Sequence, residues 1–112
     1  MYRSLIVARI VPGSEEEIAR IFAKSDETEL PAVAGVTHRA LYSLDDVYIH
    51  LLETTDPGPV SVERAREHPE FGRVSDDLRP FVTAYRANWR GPQDAVARCF
   101  YNWDAMKGTD KP

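Results

Sequence analysis

Two strand-like runs, Val36 to Leu44 and Val47 to Thr54, flank Asp45-Asp46 and hold Arg39 and His50 among apolar residues. This hairpin constrains the chain more than any other stretch. Side chains on a strand alternate between faces, so a two-residue turn decides which residues oppose each other. Leu44 then opposes Val47, Leu41 opposes His50, and Arg39 opposes Leu52. One face carries Thr37, Arg39, Leu41, Ser43, Tyr48, His50 and Leu52. The other carries Val36, His38, Ala40, Tyr42, Leu44, Val47, Ile49 and Leu51. Arg39 and His50 become diagonal neighbours, roughly 7–8 Å apart at the backbone. A three-residue turn would flip the parity and separate them. Both are polar residues inside strand runs with much apolar content, and burying such groups without partners is costly.

The rest of the chain supplies the elements that cover this hairpin. Tyr2 to Val11 reads as a first strand, apolar on both faces through Leu5, Ile6, Val7, Ile10 and Val11, and such strands are usually covered on both sides. Pro12-Gly13 ends it. Ser14 is an expected helix N-cap, with Glu17 completing a capping box and Glu15 to Glu17 facing the positive end of the helix dipole. Ile18, Ile21 and Phe22 form a stripe at helical spacing, and its extension reaches Ser25 and Asp26. Those two either aim at the core or lie solvated on a frayed last turn. Leu30-Pro31 should stop this helix, leaving a loop from Pro31 to Gly35. After the hairpin and the loop Thr55 to Pro59, a short helix is expected over Val60 to Glu67. His68-Pro69 breaks it, and a second helix follows from Pro69 to about Val82, with Phe71, Val74, Leu78 and Phe81 as apolar positions and Pro80 marking a kink or an early end. Tyr85 to Asp94 is irregular, with Trp89 expected to pack on the body. Ala95 to Asp104 reads as the last strand, with Cys99 as a small core residue in it.

The order βαββαβ predicts an α+β, ferredoxin-like fold: one antiparallel sheet with helices on one face. The strands are apolar on both faces, so the second face needs its own cover. Sheet-to-sheet dimerisation is the simplest one, giving a dimeric α+β barrel. We expect one domain over residues 1–106 and a disordered tail over 107–112. The chain of 112 residues is 43% hydrophobic, enough for a real core, and its formal charge of −4 argues against nucleic acid as a partner. No run of about 18 apolar residues is present, so no membrane span is expected. The N-terminal stretch lacks the features of a signal peptide, and a single cysteine suits a reducing cytoplasm.

The Arg39–His50 face is the more polar one, and we place it on the helix side, where Ser25 and Asp26 would look down on it. Asp26, Arg39 and His50 would then form an acid, a fixed cation and a base candidate around one cavity. The same grouping can equally be structural, a buried ion pair with a hydrogen-bonded histidine. His38 reads as an interface or surface residue and His68 as a helix-boundary residue. Spacing for a metal site, a phosphate-cradling glycine loop or a nucleophile elbow is absent from the sequence.

Four segments in order carry a resemblance: SDETELP (Ser25 to Pro31), HRALYSLDDVYIHLLE (His38 to Glu53), REHPEF (Arg66 to Phe71) and FYNW (Phe100 to Trp103). Together they resemble the tetracenomycin F2 cyclase family of aromatic polyketide cyclases, from Tyr2 to about Trp103. The resemblance implies a ferredoxin-like dimer with a pocket between sheet and helices. It also implies ring closure of an aromatic polyketide substrate by intramolecular aldol condensation and dehydration, without a cofactor, and leaves room for other polyketide synthase enzymes as partners. The family's polar pocket residues fall on Asp26, Arg39 and His50, expected to be catalytic, with His50 near neutral pKa as the proton shuttle. Phe22, Ser25, Leu41, Tyr48, Leu52 and Phe71 are expected to bind substrate. The family carries a histidine where this chain has Ser25. Two other readings remain open on the same fold: a cofactor-free monooxygenase acting on a polyketide phenol, and a non-catalytic subunit that binds or folds the polyketide.

Overall fold

A computed structural model describes residues 1–106 and 108–110, and the side chains of all of these except 92 and 108–110. Its main sheet has the order β2-β3-β1-β4, all neighbours antiparallel: β1 is Tyr2–Ile10, β2 Val36–Leu44, β3 Val47–Thr54 and β4 Val82–Thr83. This is the ferredoxin-like order. Helices α1 (Glu15–Asp26), α2 (Leu30–Ala34), α3 (Gly58–Arg66) and α4 (Pro69–Leu78) supply the two crossovers. Among the described residues no helix is long and apolar enough to cross a membrane.

The hairpin has the two-residue turn. Leu44 pairs with Val47, Leu41 with His50 and Arg39 with Leu52. Asp45 takes φ 52°, a left-handed conformation that aspartate tolerates better than most side chains. Arg9 donates to Asp46 at 2.7 Å and fastens the turn to β1. At the far end, a bulge between Val36 and His38 adds one residue, Thr37, to β2. The bulge resets the parity: Val36 pairs with Thr54 and packs on Leu30, Ala34 and Ala65, on the helix side and not on the face expected from simple alternation.

Helix α1 buries Ile18, Phe22 and Ser25, so the apolar stripe does continue to Ser25, which is 2% exposed. Ile18 and Phe22 join Ala8, Ile10, Tyr48 and Val74 in the main core. The expected capping box at Ser14 is absent. Its hydroxyl turns back instead and donates to the Val11 carbonyl at 2.5 Å. The expected loop over Pro31 to Gly35 is a short helix, α2, because Pro31 lies in a first turn where a missing N–H costs nothing. Gly35 closes it at φ 71°, and a Cβ there would stand 2.6 Å from Thr55 Oγ1, so glycine alone lets β2 start beside β3. His68 is the N-cap of α4, its Nδ1 accepting from the Glu70 amide at 3.1 Å.

The C-terminal third departs from expectation. The fourth strand is the two-residue β4 on β1, and not the stretch Ala95 to Asp104. From that stretch Val96 bridges to Ile6 and the Ala97 amide donates to the Leu5 carbonyl at 2.7 Å. Beyond it the chain leaves the sheet, so Cys99 is exposed, not core, and Phe100, Tyr101 and Trp103 are 82%, 64% and 60% exposed. Of the tail expected over 107–112, residues 107, 111 and 112 lie outside the described residues. Gly108–Asp110 form β6, paired with β5 (Asn102–Asp104).

Helices cover one sheet face only. The other presents Leu5, Ala40, Tyr42, Leu44, Ile49 and Leu51, half-buried or exposed, with Leu44 70% and Tyr42 57% exposed.

Candidate active site

Each polar group of the site sits where alternation and helical period send it. Arg39 and His50 leave the helix-side face of the hairpin on neighbouring strands, and Asp26 ends α1 directly above them. The Arg39 guanidinium grips Asp26 with two nitrogens: Nε donates to both carboxylate oxygens at 3.2 Å and Nη2 donates to Oδ1 at 2.8 Å. Its third nitrogen, Nη1, donates to His50 Nε2 at 3.0 Å. The Phe22 ring lies under the guanidinium, 4.8 Å from Cζ to the ring centroid, and meets the His50 ring edge-on at 5.0 Å. An arginine nitrogen only donates, so His50 Nε2 must be the acceptor. The ring proton of neutral His50 is then on Nδ1, facing the Tyr48 hydroxyl at 3.4 Å.

These contacts decide the charge of His50. The ring is 6% exposed and next to a permanent cation. Burial, and then the Arg39 charge, take its pKa down to about 3. The near-neutral value expected from the residue type is therefore corrected: His50 is a neutral acceptor at physiological pH. Burial likewise pushes the Tyr48 phenol up, against a smaller opposing pull from Arg39, so Tyr48 stays protonated.

Arg39 has five N–H groups and spends three on Asp26 and His50. Two remain for an incoming oxygen. The guanidinium is thus a charged donor held from both sides, on a side chain 15% exposed. Asp26 is more open, at 41%.

Neither Arg39 nor His50 lines a cavity, but their strand neighbours line two on the helix-side face. Tyr48 and Leu41 line the smaller, about 160 Å³, with Ile10 and Ile18. Leu52, which pairs with Arg39, and Ile6, which pairs with His50, form part of the floor of the larger, about 530 Å³. Val62, Glu63 and Arg66 of α3 wall it, and Gln93 and Val96 close it. Its lining is mainly apolar and its volume lies in the usual range for a small-molecule site.

Of the residues expected from sequence, Asp26, Arg39, His50, Phe22 and Tyr48 are brought into one cluster, and Ser25 is buried on the same turn of α1. Leu41 and Leu52 fall in the two flanking cavities. Phe71 does not join them; it packs with Leu30, Ala34 and Ala65 under α2. Sequence reasoning missed Ile6, Val62, Arg66, Gln93 and Val96 as cavity residues. The signal for Ile6 was available, since pairing β1 with β3 sets it opposite His50. Among the described residues no three His, Cys, Asp or Glu side chains gather as a metal-ligand set would.

The model of the polyketide synthesis cyclase family matches residues 2–104. The chain belongs to that family. This polyketide cyclase is 51% identical, over 107 residues, to an uncharacterized protein of Streptomyces coelicolor, covering 93% of the chain and 96% of the relative. It is 43% identical to polyketide synthase CurG of Streptomyces cyaneus, over 93% of the chain and 98% of that protein. It is 38% identical to tetracenomycin F2 cyclase of Streptomyces glaucescens, a type II polyketide cyclase. The solved structure of that enzyme matches with a TM-score of 0.86, over 94% of this chain and 99% of the other. Both the α+β fold and the enzymatic role of a type II polyketide cyclase follow from these likenesses.

Proposed function

We propose that this polyketide cyclase closes a late ring of a partly cyclised aromatic polyketide by intramolecular aldol condensation and then dehydrates the product, with no cofactor. The observation that supports this most is the guanidinium of Arg39, held by Asp26 and His50 and paired across the sheet with Leu52, which lines a mainly apolar cavity of about 530 Å³. A poly-β-ketone has acidic CH₂ groups between carbonyls, so the main demand is to bring one carbanion to one carbonyl, which is a matter of proximity and orientation.

The apolar cavity folds and flattens the substrate. The two unspent N–H groups of Arg39 bind the substrate oxygen that gains charge, first as enolate and then as alkoxide. Asp26 is the proton acceptor. Three of about four carboxylate lone-pair sites receive Arg39, leaving one on Oδ2 for the proton from carbon. The new C–C bond forms between the enolate carbon and the carbonyl carbon, and the alkoxide takes the proton back from Asp26. A neighbouring C–H proton and the hydroxyl then depart as water, completing the aromatic ring. His50 is a positioning residue: its lone pair holds Nη1 of Arg39 in place. The exposed apolar sheet face packs on a second copy to complete a homodimeric barrel, and the protein works in the cytoplasm beside other polyketide synthase enzymes.

The test is incubation of the purified protein with a partly cyclised polyketide intermediate, followed by product mass and oxygen uptake. Loss of one water per turnover without oxygen consumption is expected. Oxygen uptake with quinone formation, or binding without conversion, would contradict the reading.

A further inference from the structure

The larger cavity is mainly apolar, and its charged lining residues are Arg66 and Glu63, both on α3. Among the described residues that line it, Arg66 is the single positive charge. Arg66 belongs to the last turn of α3, across the cavity floor from the strand that carries His50. Its charge is poorly matched. The nearest carboxylate, Glu63 Oε1, stands 4.0 Å from Nη1, beyond hydrogen-bond distance, and the Glu63 side chain is 77% exposed. Neighbouring arginines on the same helical layer are satisfied: Arg64 bonds Asp56 and Arg73 bonds Glu70 bidentately, each with a contact of 2.5 Å. Arg66 makes no hydrogen bond among the described residues, and its side chain is 47% exposed at the cavity wall.

A planar fork of N–H donors on the wall of a mainly apolar cavity fits one kind of group, a planar anion carried by a flat hydrocarbon body. We propose that Arg66 binds the carboxylate at the non-reacting end of the substrate. This rests on the cavity being the polyketide site. Chains built by thioester condensation end in a carboxyl carbon, which is an anion when free and neutral when esterified to a carrier. Arg66 on the cavity wall and Arg39, whose strand partner Leu52 lines the same cavity, thus act on two groups of the substrate: one holds the carboxylate and fixes how far the polyketide slides in, and the other meets the oxygen at the closing ring. The register of the substrate, and with it which carbonyl reaches Arg39, is set by the distance between these two cations. The enzyme accordingly prefers the free acid over an ester or a carrier-bound form.

The test uses direct binding, so that it does not depend on turnover. The probes are 6-hydroxy-2-naphthoic acid, which carries a hydroxyl and a carboxylate at opposite ends of one flat ring system, and its methyl ester, followed by fluorescence. The acid should bind the wild-type protein about tenfold more tightly than the ester. Arg66→Gln should remove that preference by weakening the acid alone. Glu63→Gln should move it the other way, strengthening the acid and leaving the ester unchanged. Equal binding of acid and ester by wild type, or a preference that survives in Arg66→Gln, overturns the assignment of Arg66. Failure of both probes to bind, with the protein folded, overturns instead the reading of the cavity as an aromatic-substrate site.

Discussion

Arg39 Nη1 donates a proton to His50 Nε2 across 3.0 Å, and this one bond makes the histidine an acceptor and not a base. A histidine whose lone pair already receives a guanidinium cannot take a second proton without facing that cation. Burial is the larger penalty and the Arg39 charge adds to it, and together they place its pKa at about 3. The site is therefore an arginine held by two acceptors, one of them a histidine that stays neutral.

The pH dependence of cyclisation follows. With His50 neutral throughout, kcat/KM should show no inflection between pH 5.5 and 8 that belongs to this residue. Profiles of the wild type and of His50→Gln, whose amide oxygen can still accept from Arg39, should have the same shape. An inflection near 6.5 that disappears in His50→Gln would restore His50 as the proton shuttle.

The same shift acts on stability, and its sign is definite. The unfolded chain takes up a proton on His50 near its ordinary value of 6.5, whereas the folded chain resists until about pH 3. Between those values the unfolded state binds more protons, so stability falls as pH falls, by about 1.4 kcal/mol per unit at most for one such group. Above about pH 6.5 this contribution is constant. Urea unfolding at pH 7, 5.5 and 4.5 should show a steeper loss for wild type than for His50→Gln. Equal slopes would mean that His50 is not held neutral.

The open sheet face makes a claim about assembly. Leu44 and Tyr42 are 70% and 57% exposed in the single chain, beside Leu5 and Leu51. In a homodimer through this face, Leu44→Asp buries an unpaired charge and should shift the sedimenting species from dimer to monomer at micromolar concentration. A wild-type protein that sediments as a monomer throughout that range would remove the proposed barrel.

How far these features could be read in advance depended on how local their causes are. The pairing of Arg39 with Leu52 and of Leu41 with His50 follows from one two-residue turn, and it is found as expected. Val36 was assigned to the wrong face because a single bulge at Thr37 resets alternation without any mark in the apolar pattern. The fourth strand was misplaced for two reasons. Val82–Thr83 is too short to show a period, while Val96 to Trp103 is rich in apolar and aromatic residues but meets the sheet only at Val96 and Ala97. Cys99 was misread along with that strand. The polar cluster was legible through parity and the helix stripe, since Ser25 and Asp26 extend Ile18 and Phe22. The charge state of His50 was not, because it depends on burial and on which atom of Arg39 arrives, neither of which spacing encodes. Phe71 had the right period, but its helix turns it toward α2.

The account rests on Arg39 as the group that stabilises the developing oxyanion. The most direct measurement is single-turnover cyclisation by Arg39→Gln, with folding checked by circular dichroism. The account predicts a fall in the rate of ring closure of roughly 10²–10³-fold, with substrate affinity changed far less, because the lost interaction strengthens only as charge builds on the oxygen. A folded Arg39→Gln protein that closes the ring at a rate near the wild-type value would show that the cavity shapes the chain unaided, and would contradict the role given to Arg39.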